Sequence, residues 1–225
     1  YADLGQTVRA MEHYEEALSI TREIGERYTE AFVLENMGFV LADQNEFDRA
    51  IQLCNQAIQV ADEISLSVEQ QNARHVLSLV YLCTNDLTAA RTTAEAARQY
   101  DVPQNNHNVC ALLGVIALRQ GDVSAAQEAF NAAIAHADTL LGYTAQNYDA
   151  LDAKGLALCG LALCDPRSAK QLLRQALEAF QASRKITSAA GIVSRLLRLF
   201  DTLAVVDTAG LLTDVRKAAA GNYKD

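Results

Sequence analysis

The chain has 225 residues, half of them hydrophobic, and a formal charge of −9. Only Pro103 and Pro166 interrupt it, and strong helix formers dominate, so the composition selects an all-α class with enough apolar material for a continuous core. Residues 1–150 hold 8 Lys+Arg against 21 Asp+Glu (−13) and residues 151–225 hold 11 against 7 (+4); an acidic body argues against direct nucleic-acid binding, which needs Lys and Arg to neutralise phosphates.

In chain order, apolar residues at three-to-four spacing predict a first helix over 6–25, with Gly5 before it and Gly25 near its end. Further helices are predicted over 29–43, 46–64, 68–84, 87–100, 105–119, 122–141 and 145–163. The turns Asn45-Glu46-Phe47, Asn85-Asp86-Leu87 and Gly121-Asp122-Val123 share one build: a small turn residue, an acid, then an apolar residue. The acid falls near the N-terminus of the following helix, where the helix dipole favours negative charge. A longer turn, Cys164 to Ser168, precedes the helix that carries Ala176 and Phe180. Two last helices, about 188–206 and 209–220, lack the marks of the others.

Those marks are a ladder of small residues: Ala10-x3-Tyr14-x2-Ala17, Ala50-x3-Cys54-x2-Ala57, Ala90-x3-Ala94-x2-Ala97, Ala126-x3-Phe130-x2-Ala133 and Ala176-x3-Phe180-x2-Ser183. The first four recur at 40, 40 and 36 residues and the last at 50, which is the signature of a stacked repeat array. Gly38 and Gly114, each twelve residues before a ladder alanine, supply the facing small surface, since helices approach closely only where small residues meet. Phe130 and Phe180 are expected to fill the space between hairpins.

Chemistry-bearing motifs are missing. There is no phosphate loop, no dinucleotide fingerprint and no nucleophile elbow. His13, His75, His107 and His136 are dispersed, and His136 and Asp138 fall on different helix faces, so no metal site and no cofactor are expected. Glu12, Glu15, Glu16 and Glu23 read as a solvated helix face rather than an acid–base pair, which needs carboxylates converging in a cleft. The five cysteines, an odd set in apolar runs, read as core fillers of a reduced, cytoplasmic protein, Cys159 and Cys164 included. No apolar stretch reaches the ~18 residues of a membrane span, so no membrane partner is expected. The expectation is a non-enzyme.

The ladder resembles the tetratricopeptide repeat (TPR). Met37-Gly38, Leu41, Ala50, Cys54 and Ala57 stand at its marked positions in one unit. Leu77-Ser78, Tyr81, Ala90, Ala94 and Ala97 do so in the next, and Leu113-Gly114, Ala117, Ala126, Phe130 and Ala133 in a third. Cys54 and Ala94 depart from the usual aromatic. The resemblance implies a right-handed superhelical α-solenoid of TPR-like helix hairpins in one continuous array. It is divided into a partial first repeat at 1–28, repeats at 29–66, 67–103 and 104–142, a long repeat at 143–187, and capping helices over 188–225. The first unit is cut, with Tyr1 at the eleventh repeat position, so a longer native chain is expected.

The resemblance also implies a concave groove lined by the first helix of each hairpin. Carried over by position, its lining is Phe32, Glu35, Phe39, Ala42 and Asp43; Asn72, His75, Leu79, Leu82 and Cys83; Asn108, Ala111, Val115, Leu118 and Arg119; and Asp149, Asp152 and Leu156. Some of the apolar members, Leu79, Leu82, Val115 and Leu118, have packing under a neighbouring hairpin as an alternative. Glu35 and Phe39 occupy places where the family's clamp for chaperone C-termini needs Lys and Asn, which removes those tails as ligands.

The function implied is a protein- or peptide-binding module, its partner basic or apolar to complement the acidic half. The extended spacing and the Tyr14–Gly25 segment are similar to the C-terminal sensor arrays of bacterial STAND/NB-ARC-type signalling ATPases and related regulators. In those, an N-terminal effector domain of the same polypeptide is a further partner. The alternatives are a self-associating scaffold joined through its cap and, more remotely, an enzyme without a recognisable motif.

Overall fold

The computed structural model describes residues 1–221, which form eleven helices and no strand. They are α1 (Thr7–Ile24), α2 (Arg27–Asp43), α3 (Phe47–Ile64), α4 (Ser67–Cys83), α5 (Leu87–Arg98), α6 (Asn106–Arg119), α7 (Val123–Tyr143), α8 (Tyr148–Cys164), α9 (Ala169–Ile186), α10 (Ala190–Ala204) and α11 (Thr213–Ala219). The described residues are all-α and are built of helix hairpins. It divides into two compact units, Tyr1–Val102 and the residues from Pro103 onward.

The short turns set the hairpins. Asn45, Asn85 and Gly121 all take positive φ (62°, 62° and 80°), the left-handed conformation open to Gly and tolerated by Asn. The next residue caps the second helix of each hairpin. Asp86 accepts from the Ala89 amide at 3.0 Å and Asp122 from the Ala125 amide at 3.1 Å. Glu46 holds the same place in α2–α3, but its longer side chain makes no cap and pairs with Arg49 at 2.5 Å instead. Where one hairpin of the first unit passes to the next, Gly25 and Ser65, forty residues apart, both take positive φ at helix C-termini.

In the first unit α2 packs on α1, α3 and α4, and α4 on α5. The ladder works by close approach. A Cβ on Gly38 would stand 2.6 Å from Cys54 Sγ, so glycine and the small thiol are matched. At the equivalent place in α4, Ser78 donates its hydroxyl to the Ala90 carbonyl at 2.8 Å. Ala50, Ala57, Ala90, Ala94 and Ala97 are fully buried. Ion pairs tie the outer turns: Glu30 accepts from Arg22 (2.9 Å) and Arg27 (2.5 Å), and Asp62 from Arg74 at 2.7 and 2.9 Å.

In the second unit the larger fillers appear. The Phe130 ring is wedged between Gly114 of its own hairpin and Gly160 of α8, and a Cβ on either glycine would overlap it. Phe180 lies on Gly155 in the same way, 2.7 Å from where a Cβ would stand. Beyond α9 the chain does not add another hairpin in step. Helix α10 packs on α6 and α8, while α11 returns to α9. Phe200 of α10 is fully buried, its ring 6.1 Å from that of Phe180. No helix among the described residues is long and apolar enough to cross a membrane.

Candidate binding surface

The first helices of successive hairpins, α2 with α4 in one unit and α6 with α8 in the other, pack directly on each other. The residues assigned to the groove lie along them and fall into two sets.

In the first unit, Phe32 is 46% exposed, and Tyr28, one turn earlier, is 50% exposed. Glu35, Phe39, Asp43, Asn72 and His75 are half-buried. Phe39 packs at its edge on a small core of Cys54, Val76 and Leu77, which fixes its direction without burying it. Glu35 lies close to that core. Burial, then the neighbouring Glu69 carboxylate, push it from an ordinary 4.5 up to about 8. Burial, with Glu35 second, pushes the Cys54 thiol up to about 12, so it is an inert filler. Leu79, Ala42 and Leu82 are buried.

In the second unit the corresponding surface is occupied. Helix α6 is flanked by α7 and α8 and overlaid by α10, and every residue from Val109 to Leu118 is buried, Ala111 and Val115 among them. Arg119 donates to the Thr202 carbonyl in the last turn of α10 at 3.3 Å, a cation set against the negative end of that helix. Asn108 donates to Asn105 Oδ1 at 3.1 Å and to Asp149 Oδ2 at 2.8 Å, and the buried His107 ring meets the same Asp149 oxygen at 2.9 Å. Asp152 is buried and ion-paired with Arg184, whose guanidinium also donates to Ser183 Oγ at 2.8 Å. Burial raises the Asp152 carboxyl to about 6, with Arg184 opposing the shift. His107 Nδ1, Asp152 Oδ1 and two Arg184 nitrogens are buried without hydrogen-bond partners.

The structure therefore leaves Phe32, Glu35, Phe39, Asp43, Asn72 and His75 on an accessible face of the first unit. It buries Leu79, Ala111, Val115 and Asp152 and engages Asn108 and Arg119 internally. The covering of α6 had a signal in the sequence. Val109 to Leu118 is apolar all round, and a helix with no polar face is a buried one. Gly160, the second seat for Phe130, was not singled out; its mark is a glycine inside a helix, which needs a packing reason. Among the described residues no group of three or more His, Cys, Asp or Glu side chains could hold a metal ion. All five cysteines are free thiols.

No curated protein is significantly similar to the chain. Among solved structures it is similar to YrrB, "a TPR protein with an unusual peptide-binding site", at 16% identity over 91% of this chain and 97% of that one, with a TM-score of 0.46. The family model of the tetratricopeptide repeat matches residues 107–135, which places one such repeat on the hairpin of α6 and α7.

Proposed function

We infer that the protein is a non-catalytic binding module that takes a protein or peptide partner on the first-helix face of its first unit. The observation that carries this is the pairing of α2 with α4, which sets the 46%-exposed Phe32 beside half-buried Glu35, Phe39, Asp43, Asn72 and His75. An aromatic that stays half in water on a rigid element, with polar groups around it, is the kind of anchor that dominates binding energy. The first unit holds 7 arginines and no lysine against 17 Asp+Glu, a formal −10, which favours basic or apolar partners. The long repeat spacing supports a role as the sensor part of a larger bacterial signalling polypeptide of the STAND/NB-ARC type, and the free thiols suit a cytoplasmic setting. The test is selection of binders from a displayed peptide library on the 225-residue chain, followed by their measurement against a Phe39→Ala/His75→Ala variant. Selected peptides should lose at least about tenfold in affinity, or ~1.4 kcal/mol. An empty selection, or binders indifferent to the variant, contradicts the reading.

A further inference from the structure

The second unit carries its own example of what a first-helix pair can seat. Helix α10 lies on α6 and α8, buries Leu196, Phe200 and Leu203, and leaves Arg195 and Arg198 at half-buried positions. The seat is polarised: Arg119, at the end of α6, donates to the Thr202 carbonyl of α10. The repeat register gives the equivalent positions on α2 and α4. The 40- and 36-residue periods make Phe32 and Asn72 the counterparts of Asn108, Glu35 and His75 those of Ala111, and Asp43 and Cys83 those of Arg119. The first unit thus has the same helix pair, with an exposed aromatic where the second has an amide, and an acid where the second has its helix-capping cation. A helix arriving on α2 and α4 with its negative C-terminal end at Asp43 would meet like charge. One that presents arginine, lysine or its own N-terminus there meets a complementary group.

We propose that the α2–α4 face binds an amphipathic helix of basic character, seated as α10 is seated on α6 and α8 but with positive charge at the Asp43 end. This rests on the binding-module reading above and names the partner of that surface. The apolar stripe of the partner covers Phe32 and Phe39, and its cations face Asp43 and the −10 field of the unit.

The probe is a synthetic 18-residue amphipathic helix with a leucine stripe and arginine flanks, paired with a twin carrying glutamate for each arginine. Both are titrated calorimetrically into the full chain. The arginine peptide should bind, more weakly as salt rises from about 50 to about 300 mM, and the glutamate twin should not. Phe32→Ala should weaken binding about tenfold or more. Asp43→Asn should weaken it, and Asp43→Lys should weaken it further and admit the glutamate twin, with the helical circular dichroism of each variant kept. Equal affinity for the twins overturns the proposal. So does binding of the arginine peptide that ignores Phe32→Ala and Asp43→Lys. Failure of both peptides also overturns it, and where library selection still yields binders on this face, the module stands and only the partner's chemistry falls.

Discussion

Glu35 shows how one side chain records two demands. It lies near Cys54 and Glu69, where water is scarce and a like charge is close, and its carboxyl is raised from 4.5 to about 8. A carboxyl whose folded pKa exceeds its unfolded value binds protons more tightly in the native state. Its contribution is fully present below pH ~4.5 and is lost as pH rises toward ~8. Glu35→Gln, which cannot ionise, should remove this component. Urea midpoints at pH 5 and pH 8 should differ less in the variant than in the wild type. An unchanged difference would mean that Glu35 ionises freely in the fold. The Asp152–Arg184 pair, more deeply buried than Glu35, is held by opposite charge and leaves three of its polar atoms without partners, so it serves geometry more than net stability. Residue identities carried these sites unevenly. Gly38 and Ala50 read as facing small surfaces from spacing alone, whereas the match of Gly38 to Cys54, and Glu35 beside Glu69, depend on which turns of neighbouring helices face each other, which only packing decides.

Among elements, the hairpins α2–α3, α4–α5 and α6–α7 were legible because local chemistry fixes them: a left-handed Asn or Gly, an acid after it that caps the next helix in the last two, and a small residue twelve positions before the ladder alanine. Observed helix limits fall within about three residues of the expected ones except at α11, which starts at Thr213 rather than near 209. Asp86 tests the local logic. Asp86→Ala should destabilise the protein by about 1 kcal/mol through loss of the bond to the Ala89 amide. Glu46→Asp, which shortens an acid that does not cap, should raise the thermal midpoint. Thermal unfolding of the pair measures both, and equal effects of opposite expectation would refute the cap assignment. The path of α10 was not legible. Its stripe of Leu196, Phe200 and Leu203 would serve equally for a helix closing the end of an array and for one lying across α6 and α8, since an amphipathic pattern names a buried face but not its partner. The consequence falls on the groove. Ala111 and Val115 stand at lining positions by register, yet they are covered within their own unit.

For the whole chain, charge and burial divide the work between the two units. The first is strongly acidic, lacks lysine and keeps aromatic surface at Tyr28 and Phe32 in water; the second has a near-neutral balance and has covered its first-helix face with its own helix. Apolar side chains half-exposed next to carboxylates cost solubility little and give a partner both an anchor and an electrostatic guide. The most direct measurement of this account is amide hydrogen exchange on the full chain, free and saturated with a library-selected peptide. Added protection should fall on α2 and α4, centred on Phe32 to Asp43 and Asn72 to Leu79, with α6 and α8 unchanged. Protection that falls instead on α6 and α8, or on no helix of the first unit, would contradict it.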